Sequence, residues 1–105
     1  MKIVNLTPHP IVITNGPTFP PSGTVARVSV QQVDAGTIAG IPVKTQTFGD
    51  IVDLPAPQAD TVYIVSAMVL NAAKAAGRDD VVAPDTANAV RNDDGHIVSV
   101  PGFVR

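Results

Sequence analysis

Hydrophobic residues along this chain recur mostly at every second position, the period of a half-buried strand. Residues 2–6 predict a first strand, with Val4 and Leu6 on one face and Ile3 and Asn5 on the other. Residues 11–14 predict a short second strand, closed by Asn15-Gly16, a strong turn signal. Between them, Thr7-Pro8-His9-Pro10 must be extended or turning. Each proline fixes its own φ and keeps the preceding residue out of the α region. Pro20-Pro21-Ser22-Gly23 is a further turn, and residues 24–30 then alternate, with Ala26, Val28 and Val30 on one side. Two weaker strands are predicted around residues 32–38 and 43–48, separated by Gly40 and Pro42. Leu54-Pro55-Ala56-Pro57-Gln58 reads as a stiff surface connection within one domain.

The second half changes period once. Residues 61–65 are largely β-branched and aromatic and predict the best strand in the chain. The spacing then predicts a helix over about residues 67–76: Ser66 suits the N-cap, alanines fill the body, and Gly77 suits the left-handed position past the end. Residues 79–83 read as short and extended. Asn92-Asp93-Asp94-Gly95 turns a terminal hairpin that pairs Val90 with residues 97–100. The expected fold is α+β over a single domain, 1–105: a mainly antiparallel sheet or small open β-barrel with one helix packed on it.

Composition supports that reading. All nine acidic residues are Asp, and with ten Pro and eight Gly they describe tight turns and few helices. With 45% hydrophobic and 15% charged residues the chain can build a core and fold. Its net charge is −2 and its seven Lys and Arg are scattered singly, so it lacks the cation cluster that nucleic-acid binding needs. The absence of cysteine excludes disulfides and thiolate metal sites. No apolar leader follows Met1, and the longest apolar stretch, residues 62–76, is too short to span a bilayer. The expectation is therefore a cytoplasmic protein with neither membrane nor nucleic acid as partner.

Candidate chemistry concentrates near the two ends. A histidine between two prolines, His9, is held on a rigid loop, which suits a general base or a ligand contact as well as it suits a plain turn. Arg78-Asp79-Asp80 sets two carboxylates just past the helix, where the dipole disfavours anions and something must compensate them. A simple Arg-Asp turn would do so. Ser66 stands where strand meets helix, as a nucleophile would, but without the glycines of a nucleophile elbow; an N-cap is the simpler role. The amides of that first helical turn still offer an anion site. Tyr63 reads as core, and Pro84-Asp85-Thr86 as an Asx-type turn. No phosphate-binding loop, dinucleotide fingerprint, H-E-x-x-H or EF-hand loop occurs. With only two histidines, and His96 in a surface hairpin, a zinc site is not expected.

The series Asn5-Leu6-Thr7-Pro8-His9, Pro21-Ser22-Gly23, Tyr63-Ile64-Val65-Ser66 and Arg78-Asp79-Asp80-Val81 with Pro84-Asp85 resembles a family of small proteins encoded by bacteriophages and by bacterial, including prophage, genomes. The resemblance spans nearly the whole chain and carries context without a mechanism. Small phage proteins of this size often block host defences by binding a host protein or sequestering a signalling nucleotide. The leading expectation is a homo-oligomeric, non-enzymatic protein that holds a small polar, nucleotide-derived ligand with no cofactor or metal. Asn5, Thr7, His9, Arg27, Arg78, Asp79 and Asp80 are its candidate contacts, arginines meeting phosphate and Asp a ribose or base edge. The alternatives are a small hydrolase or phosphodiesterase using His9 with Asp79 or Asp80, and an inhibitor of a host protein. A thin core and exposed sheet edges motivate the oligomer.

Overall fold

In the computed structural model, which describes residues 1–105, alternating apolar segments become β1 (Lys2–Asn5), β2 (Ile11–Val12), β3 (Thr18–Phe19), β4 (Arg27–Ile38) and β5 (Ile41–Val52). The second half forms β6 (Thr61–Ile64), α1 (Ala67–Ala75), β7 (Val81–Pro84), a 3₁₀ turn (Thr86–Asn88), β8 (Val90–Arg91), β9 (Ile97–Ser99) and β10 (Phe103–Val104). The fold is α+β, with one helix on mixed sheets and no closed barrel. Antiparallel pairing joins β2 to β3, β4 to β5, β8 to β9 and β7 to β10. The centre is different. There β1, β6 and β7 run parallel in a four-stranded sheet ordered β1-β6-β7-β10. Parallel neighbours need a long crossover, and α1 supplies the one between β6 and β7.

The helix is specified at both ends by local chemistry. Ser66 is extended and its hydroxyl accepts from the Val69 amide, at a long 3.4 Å. At the other end Gly77 has φ +82°, the Gly77 N–H donates to the Lys74 carbonyl and the Arg78 N–H to that of Ala73. That is a Schellman ending, which glycine adopts without a Cβ clash. Between these caps Val69, Leu70 and Ala73 form the buried stripe. They pack on Leu6, Tyr63, Val65, Val81 and Ala83, which point from β1, β6 and β7 or their ends to the same side of the sheet. Asn5, Ile64 and Val82 alternate to the opposite face.

Only 16 of 105 residues are buried, most of them in this sheet and helix, with Ala26, Ser99 and Val100 added from flanking segments. The remainder is largely a long arm. Two expected weak strands and the alternating segment before them join into one hairpin: β4 begins at Arg27, later than expected, and runs unbroken to Ile38 before β5 returns. Ile38 pairs directly with Ile41, leaving a two-residue loop in which Ala39 and Gly40 both have positive φ, +51° and +78°. Those are the dihedral signs of a type I′ turn. Extents of 51 × 39 × 22 Å and a radius of gyration of 16.4 Å follow from the protruding arm. A compact chain of this length has a radius near 13 Å. No helix is long and apolar enough to cross a membrane.

Candidate functional site

The parallel strands give the central sheet two distinct ends. Lys2 pairs with Thr61 at the amino end, and Asn5 with Ile64 at the carboxyl end, where Ile64 in turn pairs with Val82. The candidate residues sort onto these two ends. Asn5, Thr7 and His9 lie at or beyond the carboxyl end of β1, whereas Arg78, Asp79 and Asp80 precede β7 at its amino end. Within one chain the two motifs do not meet. Arg27 belongs to neither group: it opens the arm, exposed, 3.6 Å from Asp53.

At the amino end, Arg78 and Asp80 satisfy one another. Nε and Nη2 of Arg78 donate to the two carboxylate oxygens of Asp80 at 2.9 Å each, and Nη2 also donates to the Pro55 carbonyl at 2.9 Å. The side chains are 19% and 14% exposed. The hydrogen bonds from Arg78 hold the Asp80 carboxyl below its ordinary range, against the desolvation that would raise it. Asp80 in turn raises the Arg78 guanidinium above its usual value, again mainly through the hydrogen bond. Tyr63 donates its hydroxyl to the Ala56 carbonyl at 3.3 Å, so Arg78 and Tyr63 together tie down the proline-rich connection. The compensation that an acid past a helix end requires is, for Asp80, Arg78 itself. Asp79 stays exposed.

At the carboxyl end, Asn5 organises the loop that carries His9. Its Nδ2 donates to the carbonyls of His9 (2.8 Å) and Phe19 (2.9 Å). Its Oδ1 accepts from the Thr7 amide at 2.9 Å. The Thr7 hydroxyl stands 2.7 Å from that Oδ1 and 3.0 Å from the His9 carbonyl, with one proton to serve them. Asn5 and Thr7 are both buried, and these bonds occupy their polar atoms. They position His9 rather than reach outward. His9 itself is exposed.

His9 opens onto the largest cavity of the chain, about 800 Å³. Its walls are Thr7 to Val12 from the N-terminal loop, Ser66 and Ala67 at the start of α1, Pro84 and Thr86 after β7, and Arg91 with His96 to Val100 from the terminal hairpin. That hairpin reaches the N-terminal segment through paired backbone: Val100 N–H donates to Val12 and Thr14 N–H to Val100. The hydroxyls of Thr14 and Ser99 meet at 2.7 Å, 85 positions apart in sequence. Docking of the hairpin sets His96 and Arg91 around the same space as His9. Helix geometry leaves the amide of Ala67, which lines this cavity, without an intrahelical acceptor. Arg91 is half committed, donating through Nη1 to the Gly95 carbonyl at 2.9 Å.

Sequence reasoning marked His9 and the amides after Ser66, but passed over Arg91 and His96. A surface hairpin looks chemically idle until its long-range partner is known. No group of three or more His, Cys, Asp or Glu side chains gathers to hold a metal. No protein-family model matches the chain, and neither a curated protein nor a solved structure does.

Proposed function

We propose that the protein binds, without turning it over, a small anionic ligand of the nucleotide-derived kind in the cavity at the carboxyl ends of β1, β6 and β7. The lining of that cavity carries the reading. Its volume, about 800 Å³, lies within the roughly 300–1,000 Å³ usual for small-molecule sites. Parallel strands place ligands beyond their carboxyl ends, where the following helix aims free amides and the positive end of its dipole. Here Ala67, the Ser66 hydroxyl and the Arg91 guanidinium suit a phosphate, with His9 and His96 as further donors. Ile11, Ile97 and Val98 offer an apolar wall for a flat ring. Asn5 and Thr7 contribute by fixing His9, and Arg27, Arg78, Asp79 and Asp80 fall outside this pocket. A hydrolase using His9 with Asp79 or Asp80 draws no support from their places at opposite ends of the sheet.

The resemblance to phage and prophage proteins gives this chemistry a context, namely sequestration of a signalling nucleotide that a host defence depends on. The test is mass spectrometry of small molecules released by heating the purified protein. Calorimetric titration with a panel of cyclic mono- and dinucleotides accompanies it. A stoichiometric phosphate-bearing molecule, or saturable binding lost in His9→Ala and Arg91→Ala, is expected. Release of nothing together with no uptake from the panel would refute the reading, and steady consumption of a nucleotide would replace binding with hydrolysis.

A further inference from the structure

The arm formed by β4 and β5 contributes no residue to the cavity at the carboxyl ends of the central strands. A lone two-stranded hairpin is marginal in water, and this one extends over two twelve-residue strands with both edges unpaired. Its apolar residues are left in solvent: Ile38 is 68% exposed and Ile41 65% at the tip, and Phe48 is 56% exposed near the base. The whole chain exposes 6832 Å². A folded monomer of this mass exposes about 5,500 Å², so roughly 1,300 Å² is in excess. An average stable interface takes about 800 Å² from each partner, and obligate homodimers take more. The surplus is of the size that an obligate partner covers.

We infer that the partner is a second copy of this chain, each copy seating its Ile38–Ile41 tip in the notch between arm and helix of the other. Both halves of such a contact are present on one chain. The knob is the Ile38–Ile41 pair at the turn, with exposed Val33 behind it. The notch is a separate cavity of about 460 Å³ lined by Val28, Phe48, Met68, Asn71 and Ala72. It is mostly apolar, and Met68 is an exposed large hydrophobic residue on the first turn of α1. Charge permits self-association: the arm carries two cations, Arg27 and Lys44, and two acids, Asp34 and Asp50. Lys44 and Asp34 already face each other at 3.7 Å across the hairpin. An arm without net charge meets its own copy without repulsion and gives a charged partner nothing to select. Exchange of arms about a two-fold axis closes the assembly, since each copy gives a tip and receives one. This inference stands independently of the ligand.

Light scattering over micromolar concentrations is expected to give at least twice 10.8 kDa and a melting temperature that rises with concentration. The double variant Ile38→Asp/Ile41→Asp, altered only at exposed positions, is expected to run as a single chain with the helical circular dichroism of the parent. A parent that stays at 10.8 kDa, or a folded double variant that stays multimeric, overturns the proposal. The chain has no cysteine, so the contact is also testable without relying on the double variant folding. Ile41→Cys mixed with Met68→Cys is expected to yield a mixed disulfide on mild oxidation. Only same-site disulfides, or none, would overturn the tip-in-notch contact.

Discussion

Replacing Asp80 by Asn is expected to destabilise the protein by about 2 kcal/mol near neutral pH. The substitution preserves shape and removes charge from a two-bond pair at 2.9 Å whose members are 14% and 19% exposed. A hydrogen bond to a charged group contributes about 1.5–3 kcal/mol. Here one oxygen of the new amide still accepts, while its NH₂ turns two donors toward each other. Arg78 keeps its bond to the Pro55 carbonyl, so its charge is weakened in partnership rather than stranded, and the cost stays below the 3–5 kcal/mol of a broken, fully buried pair. For a domain of this size about 2 kcal/mol lowers the melting temperature by about 10 °C.

The pH dependence gives a sharper reading than the midpoint. Arg78 holds the folded-state pKa of Asp80 below its ordinary value. Its stabilisation is therefore complete above the unfolded value, about 3.9, and is lost as pH falls through the lower folded value. Urea unfolding from pH 7 down to pH 2 should show the parent losing stability through that acid range. The Asp80→Asn variant should start lower and lose less, so that the two curves converge. Curves that remain parallel, or a neutral-pH cost under about 0.5 kcal/mol, would mean that the pair is an exposed ornament of the turn.

Gly77→Val meets no atom within 4 Å but must hold φ +82°, so thermal unfolding should register about 1–2 kcal/mol of backbone strain alone. Ala39→Asn should slow amide exchange across β4 and β5 by several-fold, because Asn tolerates the positive φ of a type I′ loop better than alanine does. Asn5→Ala strands the Phe19 carbonyl and the Thr7 amide and leaves the His9 carbonyl to the Thr7 hydroxyl alone, and a loss of about 3 kcal/mol is expected in chemical denaturation. Ser66→Ala removes a cap bond already stretched to 3.4 Å, so its cost should sit at the low end of the capping range, about 0.5 kcal/mol.

What the sequence makes legible is what short-range physics decides. Ser66 and Gly77 bracket the helix because a cap hydroxyl and a left-handed glycine act within a few residues of themselves. Asn92 to Gly95 turns its hairpin for the same reason, with the Asn92 carbonyl-amide side chain accepting from Asp94 and His96. The arm is harder to read. Gln31, Gln32, Thr45, Gln46 and Thr47 alternate with nothing buried on either side, and two register shifts break the remaining pattern. Periodicity reports burial, so a ribbon that buries neither face beyond Val28 and Ile51 at its base leaves a weak trace. Ala39-Gly40 is also a poorer turn signal than Asn-Gly. The cavity is illegible for a third reason: it exists only once residues 85 positions apart have paired.

The parallel centre of the sheet sets the two most conspicuous motifs in different surroundings. An anion is best held where helix amides are free, at the strand carboxyl ends; there the chain places Ser66, Arg91 and both histidines around open space. At the amino ends the helix terminates, its carbonyls face that side, and a carboxylate is tolerable only beside a cation. Arg78 and Asp80 meet that condition by pairing completely, which leaves them nothing to offer a ligand. His9 has the opposite situation. Its loop is fixed through its own backbone carbonyl, by Asn5, so the imidazole is positioned without being consumed. A polar side chain whose hydrogen bonds are all internal argues for structure. His9 has its backbone anchored and its side chain left exposed, whereas the Asp80 carboxylate is wholly engaged by Arg78.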